Sequence, residues 1–340
     1  MDNVTTIGID IAKNVFHLHG AAEDGEVFYR RKLTRGKLLD FIAAQPSCRV
    51  VLEACGGAHH WGREITKLGH DVRLIPPHYV KPFVKRQKND VNDAEAIVEA
   101  ASRKTMRFVA VKSAEQQAQA MVLKTRDLLQ MQRTQAINAL RGHLTEFGIV
   151  APQGPLHVAK LGAAINDPSH CIPDVAIELC QRFLDHIHAL TGQIAELTKQ
   201  ISTIAKTDET TRRLMTIPGV GPIGAVALAT LAPPCGTFDK GRDFSAWVGL
   251  TPKQHTTGGK TQLGRTSKMG QRDIRRLLII GAMAVIQAAE RRGLSENTWL
   301  ARMLARKPKM LVAVALANKI ARTAWSLMSR GGVYQSPQTV

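Results

Sequence analysis

The sequence predicts an α/β N-terminal domain, a mixed sheet with flanking helices, followed by long helices and a mainly α C-terminal domain. Three observations predict it. Strand-like and helix-like segments alternate through the first hundred residues, two long runs of helix formers fill the middle, and apolar helices separated by basic loops occupy the end.

Val4 to Ile9 is apolar and β-prone. Val15 to Ala21 and Val27 to Leu33 read as two further strands, with a turn around Asp24-Gly25. Arg35 to Ala44 reads as a helix, Arg49 to Leu52 as a short strand, His59 to Leu68 as a helix and Val72 to Ile75 as another strand. Pro76-Pro77 punctuates the chain after that strand, and a helix opens near Asp90 and runs to about Ser102. Three early strands and then strand–helix alternation suggest the mixed sheet.

Ser113 to Phe147 contains no Pro and only Gly142 as a breaker, and its Ala, Gln, Leu and Arg favour one long helix. Pro152 and Pro155 break it. Ile177 to Ile204 reads as a second long helix, with Leu179, Phe183, Ile187, Leu190, Ile194 and Leu197 in an apolar stripe close to a heptad repeat. Such a stripe fits either a packed hairpin inside one chain or a dimerising coiled coil. The expected segments are an α/β domain over 1–110, a long-helix connector over 111–206 and a C-terminal domain over 207–340.

Charge narrows the function. The 340 residues carry a net charge of +18. From Asp208 onward 20 Lys and Arg face seven Asp and Glu, so most of the excess lies in the last two-fifths of the chain. Such an excess captures polyanions, and nucleic acid is the usual one. The basic residues are spread over loops and several helices rather than gathered on one amphipathic helix, which disfavours a membrane surface. Aromatic residues are only 5%, so stacking is not expected to be the main mode of binding. Five cysteines without a C-x-x-C pair fit a reducing cytosol better than a disulfide framework or zinc ribbon. The opening MDNVTTIGID has no signal-peptide pattern, and the apolar stretch Leu277 to Ala289 is too short to span a membrane.

In the C-terminal part, MTIPGVGPIGAVALA places Gly219 and Gly221 after Pro218 and before an Ala-rich helix. A tight turn exposing N–H groups at a helix start suits a phosphate, as in helix-hairpin-helix elements; the alternative is a plain helix-connecting turn. A polar, Gly-rich, basic loop extends from Thr251 to Gly270, then a helix from Arg272 to Ala289 and a basic cluster, Arg302 to Lys309, before a last apolar helix.

The decisive local feature is a set of carboxylates. Asp10 closes the strand Ile7-Gly8-Ile9-Asp10, Glu53 closes Val50-Val51-Leu52-Glu53, and Asp90 and Asp93 lie three apart at a helix start, on the same side. The helix dipole accounts for acid at a first turn. It does not account for Asp10 or Glu53, each costly to bury at the end of an apolar strand without a partner. Magnesium takes oxygen ligands, and two such ions clamp the attacking and leaving oxygens of a phosphodiester. A G-I-D strand, an acidic strand end some forty residues on and D-x-x-D on a helix match the order of a ribonuclease-H-like nuclease core. Three rivals stay open: a junction nuclease that uses water, a nucleic-acid-binding protein with a structural acidic cluster, and an actin-like sugar kinase. The last lacks the internal repeat it needs.

The runs GIDIAK at 8–13, LEACGG at 52–57 and KNDVNDAEAI at 88–97 resemble the DEDD motif of bacterial insertion-sequence transposases of family 110. IPGVGPIGAVALA, FSAWVGLTP and TTGGKTQLGRTSKMGQRDIRRLL resemble the second domain of the same proteins, and the TTGGK form is most similar to group 1111. The resemblance implies a RuvC-like domain, a helical connector and a C-terminal transposase domain. It implies that Asp10, Glu53, Asp90 and Asp93 hold Mg2+. It also implies a hydroxyl nucleophile in the C-terminal domain, donor and target DNA, a structured bridge RNA as guide, and a dimer or tetramer in which the carboxylates of one subunit meet the nucleophile of another. Such a protein belongs in the bacterial cytoplasm, with the nucleoid.

The family nucleophile is commonly a serine just before a glycine in the loop after G-L-x-P. Alignment on Gly249-Leu250-Thr251-Pro252 brings that position to Thr257, before Gly258, a departure that adds a methyl group beside the hydroxyl. Thr256 and Ser267 are the main alternatives, with Ser245 and Thr266 nearby. Lys253, Lys260, Arg265, Lys268, Arg272, Arg275 and Arg276 are candidate phosphate contacts or a solvated basic surface, and His255 a candidate general base or phosphate contact.

Overall fold

Alternation along the first strand decides the architecture of the N-terminal part. Ile7 and Ile9 are fully buried in one core, while Gly8 and Asp10 face the opposite side of the sheet. The computed structural model describes residues 4–85, 90–293 and 298–336; of Asp90 and Val91 it describes the backbone alone. The chain divides into two units, residues 1–117 and 118–340.

The first unit holds five strands: β1 (Thr6–Ile11), β2 (Val15–Ala21), β3 (Val27–Thr34), β4 (Arg49–Glu53) and β5 (Asp71–Ile75), in the order β3-β2-β1-β4-β5. The first three form antiparallel hairpins, and β4 and β5 add in parallel, so the sheet is mixed as predicted. The strand β1 runs two residues beyond the expected Ile9, because Asp10 pairs with His17 and Ile11 with Phe16 on β2. Asp10 therefore lies within the strand rather than closing it.

Helices α1 (Leu38–Ala43) and α2 (Ala58–Lys67) cover one face, where Phe16, Leu18, Val50 and Leu52 pack against Leu38, Ile42, Trp61 and Ile65. The predicted first turn of α1, Arg35–Lys37, is a 3-10 turn. The short α3 (Pro77–Val80) and α4 (Asp90–Ala101) cover the other face, where Val51 and Ile75 meet Val80, Ile97 and Ala100. Buried His70 ties this unit together: its Nδ1 accepts from Cys48 N at 3.3 Å, and its Nε2 lies 3.1 Å from Ile42 O, an arrangement that needs the proton on Nε2.

The long helix α5 (Ala114–Thr145) leads into the second unit. It is followed by α6 (Val158–Ile165), α7 (Asp174–Thr207), α8 (Glu209–Met215), α9 (Pro222–Leu231) and α10 (Gly241–Val248). A two-stranded ribbon, β6 (Pro252–Thr257) and β7 (Lys260–Thr266), precedes α11 (Arg272–Arg292), α12 (Trp299–Leu304) and α13 (Lys309–Arg330).

The helices α5 and α7 form an antiparallel hairpin within the chain. Arg126 Nε donates to Thr198 Oγ1 at 2.8 Å, Arg133 Nη1 to Thr191 Oγ1 at 3.4 Å, and the His143 and Phe183 rings lie 5.7 Å apart. Ala136, Ile137, Leu140 and Leu144 pack on Cys180 and Ile187, closed by Leu161 and Ile165 of α6. The expected stripe needs one correction. Leu179 is 54% exposed, and Cys180 takes its place in a seven-residue row with Ile187, Ile194 and Ile201. Ala120 and Leu123 of α5 and Ile201 and Ala205 of α7 belong to the core built by α8, α9, α10, α11 and α13. Among the described residues no helix is long and apolar enough to cross a membrane.

Candidate catalytic centre and nucleic-acid interface

A glycine in the middle of an apolar strand lets another backbone approach closely. Gly8 does this for α4: a Cβ placed on it would stand 2.6 Å from Ala94 O and 2.6 Å from Val98 Cγ2. Asp93 is the residue before Ala94, and Asp10 is two residues beyond Gly8 on the same face of β1. The parallel register pairs Gly8 with Val51 and Ile9 with Leu52, so Glu53 comes next on β4 as Asp10 does on β1. Asp10, Glu53 and Asp93 are each half-buried.

Burial first, and then the charges of Asp10 and Asp93, push the Glu53 carboxyl above its usual range. The three carboxylates thus share one electrostatic environment. Asp90 lies one turn earlier on α4, but its side chain is outside the described residues. Among the described residues no three His, Cys, Asp or Glu side chains are close enough together to hold a metal ion. The donor chemistry is nonetheless that of a hard cation: carboxylate oxygens alone. His17, which sequence reasoning passed over, pairs with Asp10 across the hairpin, and its Nδ1 is buried without a hydrogen-bond partner. The signal was the two-residue period of β2, which puts His17 and His19 on the side of α4.

The expected nucleophile lies on the ribbon. Thr257 ends β6 at the tip, before Gly258 and Gly259, whose φ values of 56° and 75° make the turn. Thr257 pairs with Lys260 and His255 with Gln262, so these four side chains share one face. Thr256 pairs with Thr261 on the other face, and its Oγ1 accepts from Gln254 Nε2 at 3.4 Å. Ser267 is at the foot of the ribbon, where its N–H donates to Thr251 O at 2.8 Å, and Thr266 is the last residue of β7. Ser245 is buried in α10, its hydroxyl donating to Arg242 O at 2.9 Å.

Two transposase models match this sequence. One, for DEDD transposases of IS110 type, covers residues 7–149; the other, described as the IS116/IS110/IS902 family of transposases, covers 211–295. A putative transposase y4pF/y4sB of Sinorhizobium fredii is 44% identical over 99% of this chain and 87% of its own length. The transposase of insertion sequence IS1328 from Yersinia enterocolitica is 41% identical over 98% of this chain and 99% of its own. The transposase of IS1111A from Coxiella burnetii is 36% identical over 98% and 92%. The chain belongs to the IS116/IS110/IS902 transposase family.

In this transposase the first matched span contains Asp10, Glu53, Asp90 and Asp93, and the second contains Gly219, Gly221, the ribbon and α11. The basic residues fall into two groups. Lys253, Lys260 and Arg265 on the ribbon, Lys268 at its foot and Arg272 at the start of α11 are exposed. Arg275 instead turns inward, its Nη1 donating to Val248 O at 2.8 Å and Met269 O at 3.4 Å, and Arg276 pairs with Asp127 of α5.

The foot of the ribbon is tightly built. A Cβ on Gly249 would lie 2.0 Å from Met269 O, and one on Gly270 1.8 Å from Trp247 O. Lys268 between them has a φ of 53°, which side-chain-bearing residues rarely adopt.

The IPGVG turn joins α8 to α9 and rests on α11: a Cβ on Gly219 would come within 2.7 Å of Gly281 O. That packing accounts for Gly219. Gly221 is exposed at the start of α9, with Pro222, which has no N–H, next to it.

Proposed function

We propose that this transposase cuts and rejoins strands of an insertion element and its target DNA through a covalent threonine–phosphate link, guided by a structured bridge RNA. The observation that carries the reading is geometric: the parallel register of β1 and β4 and the close packing of α4 on Gly8 put Asp10, Glu53 and Asp93 on one side of the sheet, in a chain of this family. Asp10, Glu53, Asp90 and Asp93 would hold Mg2+, which when bound polarises a scissile phosphate and stabilises the charge that develops on it.

The Thr257 hydroxyl attacks phosphorus, forming a Thr257 Oγ1–P bond as the bond from phosphorus to the 3′ oxygen breaks. His255, on the same face of the ribbon, is placed to accept the hydroxyl proton, and the leaving oxygen takes up a proton to become a 3′-hydroxyl. A 3′-hydroxyl from the second duplex then attacks the phosphorus, and Thr257 leaves with its proton restored. Lys253, Lys260, Arg265, Lys268 and Arg272 offset phosphate charge. Arg275 and Arg276 hold the scaffold, and the start of α9 at Gly221 contacts a DNA backbone. The carboxylates of one subunit act with the ribbon of another in a dimer or tetramer, in the bacterial cytoplasm at the nucleoid.

The test is an adduct assay with the full chain, Mg2+, labelled element-junction DNA and the non-coding RNA transcribed beside the gene. The expected result is a protein–DNA band that resists denaturation, maps to Thr257, needs the RNA and is lost in Asp10→Ala. Cleavage without any adduct would replace this reading with a nuclease that uses water.

A further inference from the structure

The second unit carries a basic cleft apart from the ribbon. Gly241, at the start of α10, lets that helix lie on α13: a Cβ there would stand 3.1 Å from Arg322 O and 3.2 Å from Trp325 Cε3. Beside this contact is a cleft of about 770 Å³, also lined by Trp299 of α12 and by Val333, Tyr334 and Gln335. Five cations line it, Lys240, Arg242, Lys319, Arg322 and Arg330, and no Asp or Glu does.

None of the five forms an ion pair among the described residues. Other basic side chains of the unit do, Lys124 with Asp273, Arg213 with Glu209 and Lys309 with Glu290 among them. A concave surface that gathers unneutralised charge of one sign focuses its field and draws in the opposite charge.

The cleft also concentrates a scarce residue type. Two of the four Trp in the chain line it, although only 5% of the residues are aromatic. The Lys319 ammonium lies 5.2 Å from the centre of the Trp299 ring, so a cation and an aromatic face stand side by side. Cations beside aromatic faces suit a single strand, with phosphates on the charges and bases on the rings. The volume is of small-molecule size, enough for a nucleotide or two and too small for a duplex.

We propose that this cleft holds a single DNA strand, with its phosphates on Lys319, Arg322 and Arg330 and a base against Trp299. The choice of DNA rests on the strand-transfer reading, in which cut strands must be retained; the cleft's preference for a single strand does not.

Fluorescence anisotropy of the full chain with labelled oligo(dT), oligo(rU) and hairpin duplex, without catalysis, tests it. Lys319→Glu with Arg322→Glu is expected to weaken oligo(dT) about tenfold or more and to flatten its salt dependence, with duplex affinity changed less than about twofold. Trp299→Ala is expected to weaken oligo(dT) roughly fivefold, and Trp299→Phe to restore it, since stacking needs only the ring. Both Trp299 variants are to be compared at matched circular dichroism and Tm. Equal losses for oligo(dT) and duplex, or no loss in either variant, would overturn the proposal. Tighter binding of oligo(rU) than of oligo(dT) would overturn the assignment to DNA while leaving the strand-transfer reading to its own adduct assay.

Discussion

Gly8 lies directly beneath Ala94, where a single added methyl carbon would stand 2.6 Å from a helix carbonyl oxygen. One neighbour is backbone, so the helix itself must yield and not only the Val98 side chain, which would stand equally close. Gly8→Ala is expected to destabilise the first unit by about 1–3 kcal/mol, the range for overpacking a well-filled site. It should also move Asp93 away from Asp10 and lower strand cleavage at least tenfold, on the order of 1.4 kcal/mol in barrier. Gly36→Ala, with open space around it, is the control and should leave both unchanged. Thermal unfolding and cleavage rates of the two variants check this.

His59 is expected to give the first unit a pH dependence whose sign follows from its burial. Its Nδ1 accepts a hydrogen bond from Lys112 N at 3.1 Å, and burial first, then Lys112 and Arg63, hold its pKa below the usual histidine value of 6.5. The unfolded chain therefore takes up this proton at higher pH than the folded one. The folded state is penalised as pH falls through 6.5, and nothing is lost above it. His59→Gln keeps an acceptor and removes the proton site. Wild type is expected to lose stability relative to His59→Gln between pH 7 and pH 5, measured by denaturant unfolding at each pH. Parallel curves would show that His59 protonates without cost.

Much of this molecule was legible in the sequence, and the gaps have physical causes. The strand β2 has the predicted bounds, Val15 to Ala21, because a clean apolar alternation and a Gly turn both mark it. The end of α4 at Ala101 lies one residue from the expected Ser102, while its expected start near Asp90 borders residues outside the described ones. The partner of the stripe on α7 was not legible. Periodicity says that a face is buried, not against what, and the answer depended on Arg126 and Arg133 reaching Thr198 and Thr191 across the hairpin. The segment from Thr251 to Gly270 reads as an irregular loop because its strands are exposed on both faces and show no alternation of hydropathy. Gly258-Gly259 was the one local sign of a hairpin. Arg275 falls among the expected phosphate contacts because composition cannot tell an arginine that faces solvent from one that binds its own backbone.

That last distinction is measurable. Arg275 donates to Val248 O and Met269 O, joining the two segments that cross at Gly249 and Gly270. Losing charged-donor bonds to partly buried carbonyls typically costs about 1–3 kcal/mol. Arg275→Ala is therefore expected to lower the Tm of the second unit. Arg272, exposed one residue before Asp273, should behave oppositely: Arg272→Ala leaves Tm unchanged and reduces the salt dependence of DNA binding by roughly one counterion. Calorimetry and a salt titration on the two variants separate the roles, and equal effects on Tm would contradict the assignment.

The register of the ribbon bears on which threonine reacts. Thr256 and Thr257 are adjacent, so they project to opposite faces, Thr257 with Lys260 and His255, Thr256 with Thr261. A phosphate approaching the face of Thr257 meets a cation and an imidazole; one approaching the face of Thr256 meets hydroxyls and the amide of Gln254. Thr257→Ala is expected to abolish the adduct and Thr256→Ala to retain it within about threefold, a difference of under 1 kcal/mol in barrier. Thr257→Ser removes only the methyl group and should match or exceed wild type, since the hydroxyl is kept and its approach is less crowded. His255→Ala should slow adduct formation about a hundredfold near neutral pH if the imidazole takes the proton, and by much less if it only contacts phosphate. Retention of the adduct in Thr257→Ala and its loss in Thr256→Ala would move the chemistry to the other face, and with it the assignment of His255.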